Sequence, residues 1–116
     1  MFYETGKIEF GGVKYPIKCT ISVLAKIQKE YGTLDNFVNQ LLGIKDGENK
    51  SEPSAAVIEF TLPKMIRAGL EIEAKEKGVT ERATEQEIAN MLDKNIYELA
   101  NITYRTYLES FKMEKK

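Results

Sequence analysis

The start of the chain alternates apolar and polar residues on both sides of a pair of adjacent glycines. Alternation with a period of two is typical of a strand with one buried face, and two glycines between such runs favour a two-residue turn with positive φ. The pattern predicts a β-hairpin over about residues 7–18. With the turn at Gly11 and Gly12, Phe10 pairs with Val13 and Ile8 pairs with Tyr15. These four side chains share one face of the hairpin, and we expect this face to lie in the core.

Helical spacing of apolar residues follows the hairpin and recurs towards the end of the chain. Thr20 and Thr33 are suitable N-caps for the first two helices. Gly32 and Gly43 can end these helices in a left-handed conformation. Residues 44–53 are charged, rich in turn formers and without periodicity, which predicts an exposed loop. The predicted helices cover about residues 20–31, 34–42, 54–77, 84–92 and 95–112.

The third helical pattern is the longest, and its apolar residues form one stripe that predicts the main core helix. Pro63 lies inside this pattern. Because a proline removes one intrahelical hydrogen bond, the helix either kinks at this point, which we favour, or begins afresh with Thr61 as its cap. The stripe consists of Ile58, Leu62, Met65, Gly69 and Ile72.

The composition is that of one folded domain. Hydrophobic residues make up 42% and charged residues 30% of the 116 positions, which is a globular balance. The hairpin and about five helices predict a single domain of the α+β class, mainly α, over residues 1–116. The chain begins without the basic and apolar segments of a signal peptide and has no apolar run long enough to cross a membrane. We therefore expect a location inside a cell and no membrane partner.

The residues that most often carry catalysis or hold cofactors are scarce. The chain has no histidine and one cysteine, Cys19, which excludes an imidazole base, an internal disulfide and the usual zinc ligand sets. Neither of the common glycine-rich phosphate-binding patterns occurs. Glu71 and Glu73 lie two residues apart on a predicted helix and point to different sides, so a solvated face explains them better than an acid–base pair. We expect a protein that is not an enzyme and needs no cofactor or metal.

The segment from Thr84 to Ile102 is similar to a DNA-reading helix-turn-helix. Thr84 and Glu87 form the sequence of a capping box, and Asn95 can cap a second helix. However, the segment carries four acidic residues against Lys94 alone, a sum of -3, and the whole chain has a net charge of -1. Because DNA phosphates would repel these charges, two helices packed through a tight turn is the favoured interpretation. A DNA-binding regulator is the alternative, and we expect no nucleic-acid partner.

Four aromatic residues near the end of the chain are the candidate partner-binding residues. Aromatic side chains are favoured anchors at protein interfaces. A chain of 116 residues is too small to bury all of its 6 tyrosines and 5 phenylalanines, so we expect some exposed aromatic surface and, with it, self-association. The candidates are Tyr97, Tyr104, Tyr107 and Phe111.

Four stretches of sequence occur in a distinctive order and spacing. They are GVKYPIK at 12–18, IQKEYG at 27–32, MIRAGLEIE at 65–73 and TEQEI at 84–88. Taken together, they resemble the tail assembly chaperones of long-tailed phages and prophages of Gram-positive bacteria. The resemblance covers about residues 7–93. None of the stretches is a catalytic fingerprint, so the resemblance rests on their joint occurrence.

The resemblance implies a non-enzymatic role in building a phage tail. Proteins of this family bind the long, aggregation-prone tape measure protein and help to recruit the tail tube protein. The resemblance further implies that the chain acts in the cytoplasm of the bacterial host and is not a component of the mature virion. A helical protein with an apolar groove or an aromatic surface is suited to holding amphipathic helices of such a partner.

Overall fold

A computed structural model of the chain describes residues 6–45, 47–49, 51–78, 84–92 and 95–111. Within these residues, an N-terminal antiparallel hairpin is followed by five helices, which confirms the predicted class of a mainly α, α+β fold. The elements in chain order are β1 (Lys7–Phe10), β2 (Val13–Pro16), α1 (Ile21–Tyr31), α2 (Leu34–Leu42), β3 (Ile44–Lys45), β4 (Glu48–Asn49), α3 (Ala55–Lys77), α4 (Glu85–Asn90) and α5 (Ile96–Glu109).

The N-terminal hairpin has the predicted register, with Phe10 opposite Val13 and Ile8 opposite Tyr15. Ile8 and Phe10 are buried as expected. The expectation is wrong for Val13, which follows the turn directly and is 52% exposed. Phe10 is covered instead by the ring of Tyr15, with 6.2 Å between the two ring centroids. Val13 is therefore not part of the buried face of the hairpin, although the alternating pattern places it there.

The predicted helix caps are present in the structure. The side chain of Thr20 accepts a hydrogen bond from the amide of Val23 at 3.3 Å, and Thr33 does the same for Asn36 at 3.0 Å. Gly43 ends α2 at a φ of 70°, a left-handed conformation that favours glycine. These local signals explain why α1 and α2 agree with their predicted bounds to within one residue.

The segment at 44–53 differs from the predicted loop. β3 and β4 form a short antiparallel ladder in which Ile44 pairs with Asn49 and Lys45 with Glu48. Gly47 has a φ of 79° and supplies the sharp turn between the two strands. The turn formers that predicted a loop thus make a small hairpin, and positions 46 and 50 of the predicted loop lie outside the described residues.

The long helix α3 runs without interruption through Pro63. The alternative of a fresh helix capped by Thr61 is therefore wrong, and the cap of α3 is Ser54, whose hydroxyl accepts from the amide of Val57 at 3.2 Å. The predicted core stripe of α3 is buried except at its end, where Ile72 is 36% exposed. Pro63 is itself buried, so it fills core volume in addition to omitting one helical hydrogen bond.

The core surrounds α3, against which β2 and the other four described helices pack. The hairpin side of this core contains an unusually close backbone approach. The amide of Lys18 donates to the carbonyl of Met65 at 3.0 Å, and Gly69 lies against the backbone of Pro16. The large apolar side chains that are fully buried include Ile8, Ile27, Phe37, Leu41, Val57, Leu62, Met65, Ile66, Ile88 and Ile102.

The last two helices are shorter than their predicted ranges of 84–92 and 95–112. α4 ends at Asn90, and α5 extends from Ile96 to Glu109. The predicted end of the last helix at position 112 lies outside the described residues. Among the described helices, none is both long enough and apolar enough to cross a membrane.

Candidate protein-binding surface

An open apolar groove lies where α3, α4 and α5 meet. It has a volume of about 470 Å³ and is formed by the first turns of α3, the end of α4 and the start of α5. Most of its wall is aliphatic, and among the described lining residues the charged one is an exposed glutamate at position 59. The lining residues are Ala55, Ala56, Ile58, Glu59, Ala89, Leu92, Ile96 and Leu99.

The α4 wall of this groove is held by a few specific contacts. Ile88 is fully buried between α4 and the core. The hydroxyl of Tyr15 lies 3.6 Å from the sulfur of Met91, which ties the end of α4 to the hairpin. The predicted capping box is present, since Thr84 accepts from the amide of Glu87 at 3.1 Å and the Glu87 carboxylate accepts from the amide of Thr84 at 2.8 Å. These bonds keep a six-residue helix in place that would not form by itself.

The groove continues along α3 into a neighbouring hollow of about 330 Å³. The two spaces share Ala56, Glu59 and Ala89, and the second extends past Phe60 to Pro63. At 1.5 Å per residue, the stretch of α3 from its first residue to Pro63 is about 12 Å long. This length corresponds to roughly two turns of a helix lying alongside.

Small side chains give the groove its depth. Ala55 and Ala56 are exposed on α3, and Ala89 is partly buried on α4. Alanines at exposed helical positions let another helix come close to the backbone, as small residues do at closely packed helix interfaces. The groove therefore has the shape and the chemistry of a site for one face of an amphipathic helix.

The rim of the groove has an acidic character. Glu59 is exposed beside the alanines, and Glu85 stands at the far end of the second hollow. Lys64 offsets part of this charge, because its ammonium lies 3.1 Å from Glu85 and 3.9 Å from the centre of the Phe60 ring. A partner helix with basic residues beside its apolar face would complement this rim.

A different hollow, more polar and of about 250 Å³, lies between α1 and α3. Its charged lining includes Lys64 and Glu85, and Arg67 with Glu71, whose charged atoms are 3.0 Å apart. Since six of its eleven described lining residues are charged, this hollow presents more polar than apolar surface. It is a less suitable surface for an amphipathic helix than the groove.

The four aromatic candidates of the last helix do not form one cluster on the surface. Tyr97 is 59% exposed and Phe111 is 50% exposed, whereas Tyr104 is half-buried. Tyr107 is buried, with its ring centroid 5.3 Å from that of Phe37 and 5.0 Å from that of Phe111. Burial raises the pKa of the Tyr107 hydroxyl, and the negative charge of the nearby Asp35 raises it further. Tyr107 is therefore a core residue, and three candidates keep surface for a partner.

The helix-turn-helix-like segment adopts two helices, but α4 packs against α3. The predicted turn includes positions 93 and 94, which lie outside the described residues. The exposed side of α5 carries Glu98 and Arg105, one charge of each sign, together with Tyr97 and Asn101. This face adds no net positive charge with which to hold a phosphate backbone.

Cys19 offers no reactive thiolate. Its side chain is buried, and this burial raises the pKa of the thiol to about 11, although a hydrogen bond with Ser110 lowers it in part. In the part of the chain that the structure describes, no group of three or more potential metal-ligating side chains comes together.

Comparison with models of known protein families, with curated proteins and with solved structures finds no match for this chain. The family resemblance based on the four sequence stretches therefore stays a prediction.

The groove was not predicted from the sequence. Ile96 and Leu99 lie within the predicted last helix, but their contact with α3 and α4 depends on the tertiary fold. The available signal was a set of small residues outside the apolar stripes, namely Ala55, Ala56 and Ala89. Such residues become informative only after the helices that they face are known.

Proposed function

We propose that this chain is a non-enzymatic tail assembly chaperone of a long-tailed phage or prophage. In this role it holds amphipathic helices of the tape measure protein, and aids recruitment of the tail tube protein, in the cytoplasm of the bacterial host. It then leaves before the virion is complete. The four sequence stretches support the family, and the alanine-walled groove is the observation that supports the mode of binding.

The groove is suited to a partner that exposes apolar helical surface before assembly. Binding would bury the aliphatic side chains of Leu92 and Ile96 together with the partner's apolar face, which is the main source of affinity in helix-in-groove complexes. Glu59 at the rim favours partner helices that carry lysine or arginine next to this face. A long helical tape measure protein would offer several such segments along its length.

The experiment is co-expression of the tagged chain with the tape measure protein of the same phage, followed by affinity capture. Ala56→Arg places a long, positively charged side chain in the groove, and Ala25→Arg makes the same change at an exposed position of α1 outside it. We expect the wild type and Ala25→Arg to retain soluble tape measure protein. Ala56→Arg should lower the affinity by about tenfold or more, which corresponds to roughly 1.4 kcal/mol.

Three results would contradict the proposal. The wild type could fail to retain the tape measure protein, or Ala56→Arg could bind it as well as Ala25→Arg does. Salt-sensitive retention of duplex DNA by the wild type, in the absence of tape measure binding, would favour the alternative of a DNA-binding regulator. Circular dichroism of both variants would show whether the helices are intact.

A further inference from the structure

α5 carries a second interaction surface that is separate from the groove. Four of its residues and Phe111, which lies two positions beyond its end, follow each other at steps of four, three, four and three positions. This spacing is the heptad pattern of a coiled-coil seam, in which the first and fourth positions of each heptad face a partner helix. The seam consists of Tyr97, Asn101, Tyr104, Leu108 and Phe111.

The seam lies outside the core. Leu108 is 43% exposed, Asn101 is exposed and Tyr104 is half-buried, in addition to the exposed rings at both ends. The other side of α5 is turned to the protein interior and is buried at Leu99, Ala100, Ile102, Thr103, Thr106 and Tyr107. The helix is thus apolar on two sides, and only one of them is covered within the described part of the chain.

Two charged residues next to the seam indicate which kind of helix can pair with it. Glu98 and Arg105 are exposed on the same flank, seven positions apart. Neither is in an ion pair with another residue of the described ranges. If a second α5 lies antiparallel along the seam, this flank faces the same flank of the other helix. Glu98 of each copy then meets Arg105 of the other, which gives two symmetric ion pairs.

A parallel arrangement does not offer this complementarity. In a parallel pair, Glu98 and Arg105 would face the opposite flank of the second helix, which carries the buried, uncharged Ala100 and Tyr107.

In the antiparallel pair, Tyr97 packs on Leu108 of the second copy. Asn101 lies beside Tyr104 of that copy, where its amide can reach the tyrosine hydroxyl. A polar residue within a seam fixes one register at some cost in affinity.

We propose that two copies of this chain associate through antiparallel pairing of α5 along this seam. The seam covers about two heptads, or roughly 20 Å of helix, so the interface is small and the dissociation constant should be on the order of micromolar. The dimer does not depend on the chaperone function proposed for the groove.

The first test is sedimentation velocity over a concentration series, combined with a charge-reversal cycle. Glu98→Arg and Arg105→Glu each bring like charges together across the interface and should each weaken dimerisation by about tenfold. The double variant Glu98→Arg/Arg105→Glu restores opposite charges and should return to within about threefold of the wild type. Both positions are exposed, so the variants are expected to fold.

The second test determines the orientation by disulfide crosslinking. Tyr97→Cys mixed with Leu108→Cys should give a crosslinked pair of the two variants under mild oxidation. Tyr97→Cys alone should crosslink poorly, because the two positions 97 would be about 16 Å apart along an antiparallel pair. A wild type that stays monomeric up to millimolar concentration, a double variant that is no better than the singles, or efficient self-crosslinking of Tyr97→Cys would each overturn the proposal.

Discussion

Gly69 on α3 lies so close to the hairpin that a Cβ atom at this position would be 2.6 Å from the carbonyl carbon of Pro16. No side chain fits in this space without moving backbone, and the Lys18–Met65 hydrogen bond holds the two elements together beside it. Gly69 is therefore required by packing, although glycine is a poor helix former. The pairing of hairpin and core helix depends on this missing side chain.

Gly69→Ala is expected to lower the free energy of unfolding by about 1–3 kcal/mol, as overpacking usually does. At an open helical position the same change would raise the stability by up to about 1 kcal/mol, because alanine is the better helix former. The sign of the change thus separates the two effects. Chemical denaturation of wild type and variant measures it, and a higher midpoint for Gly69→Ala would contradict the close approach.

Thr61 and Thr103 form a matched pair of buried threonines with different hydrogen bonding. The hydroxyl of Thr103 donates to the carbonyl of Leu99 at 2.8 Å, whereas that of Thr61 has no hydrogen-bond partner among the described residues. Valine has nearly the same shape as threonine without the hydroxyl. Since an unpaired buried hydroxyl is unfavourable, Thr61→Val should raise the free energy of unfolding by about 1 kcal/mol.

Thr103→Val is the control for this prediction. It removes a hydroxyl that is hydrogen-bonded, so the variant should be about 0.5–1.5 kcal/mol less stable than the wild type, and thus about 1.5–2.5 kcal/mol less stable than the Thr61→Val variant. Urea denaturation of the two single variants and the wild type measures the difference. Equal effects of the two substitutions would show that the hydroxyl of Thr61 is satisfied in solution.

Local signals predicted the parts of the fold that depend on neighbouring residues. The glycine pair fixed the hairpin register, and Thr20, Thr33 and Thr84 mark helix starts because a hydroxyl can accept a bond from an amide three positions later. The effect of Pro63 has no such local signal, since the cost of a proline within a helix depends on how much tertiary packing offsets it. That packing is not visible in a local pattern.

The candidate surfaces were only partly predictable for the same reason. The exposed rings of Tyr97 and Phe111 follow from the limited core of a small chain. Tyr107 has the same local chemistry, yet it packs on Phe37, which is distant in sequence. Which side of α5 is covered is decided by α2 and α3, so sequence spacing alone could not separate the core aromatic residue from the exposed ones.

Cys19 should make the stability depend on pH at alkaline values. Well below pH 9 the thiol is protonated in both the folded and the unfolded chain, and it contributes no pH dependence. Because burial raises the pKa from 9.0 to about 11 in the folded state, the unfolded chain loses its proton first as the pH rises. The free energy of unfolding should therefore fall between these values, by about 2 kcal/mol in all.

The measurement is urea denaturation at pH 8 and near pH 11 for the wild type and Cys19→Ala. Ionisation of the tyrosines and lysines contributes to the slope in both proteins, so the difference between them isolates the thiol. The variant should lose less stability than the wild type over this range. A parallel loss in both proteins would mean that the thiol ionises as easily in the folded state as in the unfolded one.

Thr84→Ala is expected to loosen the α4 wall of the groove without unfolding the protein. The substitution removes the acceptor for the amide of Glu87, and losing such a cap costs about 1 kcal/mol. Since α4 has six residues and few anchors, the cost should appear as local opening. The amides of residues 87–90 should exchange with deuterium several-fold faster than in the wild type, and the binding of a tape measure helix that we propose for the groove should weaken with them. Thr33→Ala removes the equivalent cap of α2, outside the groove, and should leave exchange in α4 unchanged. Equal exchange of α4 in both variants would show that Ile88 and Met91 hold this wall without help from the cap.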